Sequence, residues 1–344
     1  MKKMKALKAK YLLIAAAVCL VSIVALGWYF FLTDFSDTKE TRYVYVDDDD
    51  TIDSVLTKLR PIATDHGLTG FGTLIRHSDY AKAPRTGRYA IKPGEKTWKV
   101  MRKMKNGQQQ AVMLTIPEAR TMQKLAAALG SKLMLDSAQI AAALTDQVYC
   151  QQQGYDTCTI AALFVPNTYE VYWNTTLDHF MERMAKEHKA FWTPERLQKC
   201  EVAGLSPDEV CTLASIIDEE TANNGEKPMR AGMYLNRLHK DMPLQADPTV
   251  KFALKNFALK RIYHDMLFFD SPYNTYRNTG LPPGPIKIAS IKGIDAVLNY
   301  VQHDYLYMCA KEDFSGTHNF AVSYAEHLRN AARYAKALNE RGIK

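Results

Sequence analysis

One stretch constrains this chain before anything else is read. Tyr11 to Leu32, YLLIAAAVCLVSIVALGWYFFL, carries no charge. At about 1.5 Å of rise per residue, such a run crosses the hydrocarbon core of a bilayer as a helix. Trp28 and Tyr29 suit one interface and Tyr11 the other. Lys2, Lys3, Lys5, Lys8 and Lys10 precede the run, which favours a cytoplasmic N-terminus. A secretory signal has a shorter apolar core and ends at a small-residue cleavage site, whereas this run ends in WYFFL. The expectation is a basic tail over 1–10, a retained single-pass helix over 11–32, and the remainder outside the cytoplasm.

The formal charge of the 344-residue chain is +7. Five of those charges are the leading lysines, so the basic balance is a topology signal and points to no nucleic-acid partner. Hydrophobic residues make up 47% and charged residues 24%, which excludes a disordered, collagen-like or multi-span chain. Beyond Cys19 in the apolar run lie Cys150, Cys158, Cys200, Cys211 and Cys309. Cys150 and Cys158 can close a short disulfide loop or stay as buried thiols. No Cys-x-x-Cys pair or histidine cluster suggests a metal site.

Residues 33–42 read as a polar stalk. Tyr43-Val-Tyr-Val46 has strand composition. After the acidic turn Asp47 to Asp50, Asp50 can cap a helix whose Ile52, Val55, Leu56 and Leu59 share a face. Gly87 to Ile91 is a second strand, and Trp98, Met101 and Met104 mark a helix ending near Asn106-Gly107. Residues 43–110 thus form a small α+β module. Over 111–344, Val112 to Ile116 is a strand and Met122 to Leu129 a helix stopped by Gly130. Mostly helical sequence then runs to about residue 200, broken by Phe164-Val-Pro-Asn-Thr-Tyr169. The fold class is α+β.

The strongest local signal follows. Ser206-Pro-Asp-Glu209 is a capping box with proline at the first helical position. The helix should run through Asp218-Glu219-Glu220 and end at Asn223-Asn224-Gly225. On a wheel of ~100° per residue with Val210 at zero, Leu213, Ile216 and Ile217 define the apolar arc, and Glu220 falls inside it at about −80°. Glu219 points roughly away, and Asp218 lies at the far edge near +80° on that ~100° wheel. Burial and the negative end of the helix dipole both favour the protonated carboxyl of Glu220, the state a general acid needs. The competing reading is a buried ion pair with Arg230 or Arg237.

A second helix is signalled by Pro228, Ala231, Tyr234, Leu235 and Leu238. Asp247-Pro248 is a turn or cap, or Gln245 and Asp247 bind sugar hydroxyls and amides. The rigid Gly280-Leu-Pro-Pro-Gly-Pro-Ile286 loop either scaffolds or lines a groove. A lone histidine such as His318 is more often structural than functional.

Leu213-Ala-Ser-Ile-Ile-Asp-Glu-Glu-Thr221, Asn236-Arg237-Leu238, Leu244-Gln-Ala-Asp-Pro-Thr-Val250, Tyr273-Asn-Thr-Tyr276 and Gly280 to Ile286, in this order and spacing, resemble the endolytic murein transglycosylase family (YceG-like, MltG). Pro117-Glu-Ala-Arg-Thr121, Phe164 to Tyr169 and Gly316-Thr-His-Asn-Phe320 extend the likeness, and residues 43–110 sit where that family has a LysM-like module. The chain departs from the family pattern at Asn167, usually Asp, at Ala119, usually Gly, and at Ala289-Ser290, usually Pro-Gly.

The resemblance implies that Glu220 is the catalytic glutamate. It implies cleavage of the β-1,4 bond from N-acetylmuramic acid to N-acetylglucosamine within peptidoglycan strands, with formation of 1,6-anhydro ends and no cofactor or metal. It implies work at the bacterial inner membrane beside peptidoglycan synthases, terminating strand elongation. Gln245, Asp247, Tyr273, Asn274 and His318 are the residues expected to line the glycan groove. The alternatives are a water-using muramidase with Asp247 or Glu170 as second carboxylate, and a non-catalytic, membrane-anchored glycan-binding scaffold.

Overall fold

The computed structural model describes residues 2–259 and 261–342. Met1, Lys260, Ile343 and Lys344 lie outside the described residues, as do the side chains of Ala6 and of Lys2, Lys3 and Lys5, three of the lysines read as a topology signal. The chain divides into two units: 1–113 with 132–134 and 170–175, and 114–131 with 135–169 and 176–344.

The first unit holds α1 (Lys2–Gly27), β1 (Arg42–Val46), α2 (Ile52–Leu59), α3 (Asp65–Arg76), β2 (Gly87–Ile91) and α4 (Thr97–Lys105). A π-helical turn, Trp28–Leu32, prolongs α1, and together they give an apolar stretch, Leu7–Leu32, with mean hydropathy 2.4 and no buried residue. That helix fits a single-pass membrane anchor. β1 and β2 pair antiparallel, with Val44 opposite Tyr89. Their inward side chains pack with Val55, Leu59, Phe71, Ile75, Val100 and Met104 into one core.

Three expectations change here. Thr51, not Asp50, caps α2 by accepting from Ser54 N. Asp50 instead accepts from Asp47 N at 2.7 Å and pairs with Lys58 at 2.5 Å, tying the acidic turn to the helix. The helix α3 is absent from the sequence reading because Gly67, Gly70 and Gly72 lower its propensity. Packing requires the middle one: a Cβ at Gly70 would stand 2.1 Å from the carbonyl oxygen of Phe30. Nor is there a free stalk. Phe35 is fully buried in the core, Phe35 N donates to Glu95 O at 2.9 Å, Lys96 pairs with Asp34 at 2.6 Å, and Tyr29 stacks on His66 at 4.7 Å between ring centres. Apolar contacts made across the fold outweigh the polar look of residues 33–42.

Two short strands, β3 (Val112–Thr115) and β4 (Thr168–Val171), pair with each other. In the second unit α5 (Met122–Gly130), α6 (Ser137–Ala143), α7 (Gln147–Gln152), α8 (Leu177–Phe191) and α9 (Pro194–Ala203) lead to α10 (Pro207–Glu220). After it come α11 (Lys227–His239), α12 (Asp247–Ala253), α13 (Ile291–Leu298), the antiparallel pair β5 (Tyr307–Ala310) and β6 (His318–Ala321), and α14 (Tyr324–Glu340). Every residue of α10 from Val210 to Ile217 is buried. Leu213, Ile216 and Ile217 meet Ala231, Tyr234 and Leu235 of α11 and Ile294 and Val297 of α13 in one core, each such side chain contributing about 1.5–3 kcal/mol by leaving water. The Gly280–Ile286 loop is part of this scaffold, since Ile286 N donates to Ser215 Oγ of α10 at 3.0 Å. Cys150 is buried beside Leu144 O, Cys158 is half-buried, and both are free thiols.

Candidate active site

Three consecutive carboxylates end α10. The capping box forms as its sequence dictates: Ser206 Oγ accepts from Glu209 N and Glu209 accepts from Ser206 N. The helix stops at Glu220, because Thr221 turns to an extended conformation (φ −148°) before the Asn-Asn-Gly expected to end it. Glu220 therefore occupies the last helical position, at the negative end of the peptide dipoles.

The three acids have different surroundings. Glu219 faces Arg120, whose Nε lies 2.9 Å from Oε2. Asp218, expected at the far edge of the helix, is buried: its side chain is 2% exposed and accepts from Lys227 Nζ at 2.7 Å, Ser290 N at 2.7 Å and Ser290 Oγ at 2.9 Å. A wheel with one apolar arc fails at Asp218 because α10 is packed on every side. A Cβ at Gly293 would stand 2.5 Å from Asp218 Oδ1, so α13 approaches the helix closely there.

Glu220 is 11% exposed. Tyr234 Oη donates to its Oε1 at 2.5 Å and Arg230 Nη1 to its Oε2 at 3.0 Å. The ion pair weighed from sequence is thus present, with Arg230 as the partner. Arg237 is engaged elsewhere, donating to the carbonyls of Leu306, Pro243 and Leu244. Arg230 is shared: its Nε and Nη2 also bind Glu226 Oε2, at 3.1 and 3.0 Å. One guanidinium serves two carboxylates. Burial drives the Glu220 carboxyl above its ordinary pKa; Tyr234 and Arg230 oppose that push, the charge of Asp247 adds to it, and the net direction is upward.

Residues 44–333 match the profile of the YceG-like family. The chain belongs to that family. It is 27% identical over 321 residues to the endolytic murein transglycosylase of Bacillus subtilis (strain 168), covering 89% of this chain and 88% of that protein. It is 26% identical over 302 residues to the endolytic murein transglycosylase of Streptococcus pneumoniae serotype 2 (strain D39 / NCTC 7466), covering 79% of this chain and 54% of that longer protein. A crystal structure of a YceG-like protein from Listeria monocytogenes superposes with a TM-score of 0.54 at 26% identity, over 85% of this chain and 99% of that one.

In this YceG-like domain the residues expected to line a glycan groove have different fates. Asp247 is exposed and accepts from Tyr276 Oη at 2.6 Å. Gln245 is exposed on a left-handed backbone (φ +52°), its amide oxygen 3.5 Å from Arg237 Nη1. His318 opens β6; its Nδ1 lies 2.9 Å from Glu226 Oε2, so it joins the Glu220 network through Glu226 and Arg230. Burial and Arg230 hold its pKa below the ordinary histidine value. Tyr273 packs tilted against Phe252, 4.7 Å between ring centres, and lines a separate cavity of about 500 Å³ with Arg120 and Cys158. Asn274 cannot reach a ligand. It is fully buried, and its amide donates to the carbonyls of Leu267 (2.9 Å) and Phe269 (2.8 Å), fixing the loop. Glu170, weighed as a second carboxylate, lies on β4 among the residues of the first unit.

Of the departures from the family pattern, Ser290 caps α13 and holds Asp218, and Asn167 closes its own turn by accepting from Thr168 N. Arg230 was weighed only as an ion-pair partner of Glu220, and Tyr234, Glu226 and Tyr276 were missed as site residues. The first three had a signal: 226, 230 and 234 are spaced by four and therefore share one face of α11. Tyr276 had none, since its pairing with Asp247 depends on how a loop folds back.

Proposed function

We propose that this protein is an endolytic lytic transglycosylase that cleaves the β-1,4 bond from N-acetylmuramic acid to N-acetylglucosamine within glycan strands. The observation that carries this reading is Glu220: a nearly buried carboxyl with a raised pKa, ending a rigid helix and oriented through both oxygens. Protonated, Glu220 gives its proton to the glycosidic oxygen as the C1–O bond breaks and an oxocarbenium-like centre develops. The resulting carboxylate takes the proton of the muramoyl C6 hydroxyl, whose oxygen bonds to C1 and closes the 1,6-anhydro ring. The acid is thereby regenerated without water or a covalent enzyme intermediate, so one carboxyl does both transfers. Tyr234 and Arg230 stabilise the transient carboxylate. Gln245, exposed just before α12, and Asp247, exposed at its first position, serve as glycan contacts on this reading.

Two features support the reading beyond the site: the names carried by the Bacillus and Streptococcus relatives, and the apolar helix α1. On this reading α1 spans the inner membrane with the N-terminus cytoplasmic. The enzyme then acts beside membrane peptidoglycan synthases, where it ends strand growth. The LysM-like role of the first unit belongs to the same proposal.

The test is mass spectrometry of products after incubating detergent-solubilised full chain with uncrosslinked glycan strands. Anhydro ends are expected from the wild type and not from Glu220→Gln. Reducing ends would mean that water is the acceptor. Binding without cleavage by either protein would leave a glycan-binding scaffold.

A further inference from the structure

The 500 Å³ cavity beside α10 has a charge surplus that the cleavage chemistry does not use. Its wall includes Arg120, Lys255 and Lys287 around Phe252, Phe257 and Ile160. A smaller recess sharing Arg120, Phe252 and Phe257 adds Lys251, Glu219 and Pro248. Arg120 and Lys124 both lean on the Phe257 ring, at 5.6 and 6.0 Å.

Among the described residues, Arg120 pairs with Glu219, and Lys287 pairs with Glu118 at 2.8 Å and with Glu219 at 3.7 Å. Lys124, Lys251 and Lys255 have no carboxylate partner among the described residues. Around the cavity, its recess and the Phe257 ring, five cations thus share two carboxylate partners among the described residues. The smaller recess adjoins the reaction centre along the chain. Glu219 precedes Glu220, and Pro248 follows Asp247.

We propose that this cationic, aromatic-floored cavity receives the carboxylate-bearing peptide attached to the muramoyl residue of the substrate. The inference rests on the glycan-cleavage reading above. In a murein strand the sugars are uncharged wherever the lactyl carboxyl is amide-bonded to peptide, so the surplus lysines find no counter-charge in the glycan. The peptide supplies it through its free carboxylates. The apolar part of the wall suits the methyl and methylene groups between them. Lysine ammonium groups on flexible stems can follow carboxylates whose spacing varies, as a fixed guanidinium fork cannot.

The experiment has two arms. In the first, Glu220→Gln full chain in detergent is titrated calorimetrically with a soluble L-alanyl-γ-D-glutamyl stem peptide having free carboxylates. The expected result is binding that weakens about tenfold, ~1.4 kcal/mol, when Lys251→Gln and Lys255→Gln are added together, and by a similar factor when the peptide carboxylates are amidated. Lys255 is exposed and Lys251 half-buried, neither is in an ion pair among the described residues, and an unchanged melting temperature checks that the double variant folds. Equal binding of free and amidated peptides, or equal binding by the lysine variant, overturns the proposal. So does binding of a glycerol-phosphate oligomer with no binding of peptide.

In the second arm, enzyme with Glu220 intact cleaves stem-bearing strands and strands stripped of peptide. Wild type should prefer stem-bearing strands, and the lysine variant should lose most of that preference. Equal cleavage of both substrates by wild type, with anhydro ends, removes the peptide site and leaves the transglycosylase reading standing. Peptide binding with no cleavage does the reverse.

Discussion

Asp218 and Glu220 stand two residues apart at the end of one helix, both shielded from water, yet their environments differ in kind. Asp218 receives an ammonium, a backbone N–H and a hydroxyl. Its charge is compensated by Lys227, which pairs with no other carboxylate among the described residues. Glu220 receives a phenol and a guanidinium that it must share with Glu226. The first carboxylate is saturated and ties α10 to α11 and α13. The second is incompletely compensated, so its proton is retained more readily, and α11 orients it without neutralising it fully. Burial alone does not make an acid catalytic; the balance between burial and counter-charge decides whether a proton can come and go.

The comparison can be broken most decisively at Asp218. Asp218→Asn leaves Lys227, with a side chain 7% exposed, as a buried cation without a carboxylate. The expected cost is about 3–5 kcal/mol of stability, read as a shift of the urea midpoint. A variant as stable as wild type would mean that this pair holds nothing together.

At Tyr234 the effect should be smaller and of a different sort. The phenol hydrogen bond favours the charged form of Glu220, so Tyr234→Phe raises the pKa of the acid further. The alkaline limb of the pH–rate profile should move to higher pH, while the cleavage rate drops about tenfold with the loss of a bond to a charged group. An unmoved limb would remove Tyr234 from the tuning of Glu220.

The smallest effect is on stability at Glu220 itself. Its folded pKa lies above the unfolded value. The stability its proton confers is therefore complete below the unfolded pKa and lost as pH rises through the folded one. Glu220→Gln carries no such loss. Its melting temperature should exceed that of wild type by about 2–4 °C at pH 8, the shift expected of ~1 kcal/mol in a domain of this size. The gap should close as the solution is acidified. A gap that is constant with pH would show that the carboxyl is charged in both states.

Much of this arrangement was legible in the sequence. Ser206, Pro207 and Glu209 fixed the start of α10, and counting forward placed Glu220 among apolar neighbours. Arg230 was one of the two basic partners that the spacing allowed. What escaped was whatever depended on contacts distant in sequence. Asp218 fell at the far edge of the apolar arc because a wheel assumes one buried side, whereas α13 closes on the other. Asn274 looked like a ligand contact because a polar loop resembles a binding surface until its own carbonyls are counted. The helix α3 was hidden by glycines whose purpose is visible only when Phe30 is laid against them.

That last contact has a mechanical consequence. In a chain anchored by α1, the apolar helix continues directly into the packed first unit, with Gly70 against the backbone of Phe30 and Phe35 in the core. Nothing resembling a slack tether separates the two. Such a unit diffuses in the plane of the bilayer and has almost no freedom to rise from it.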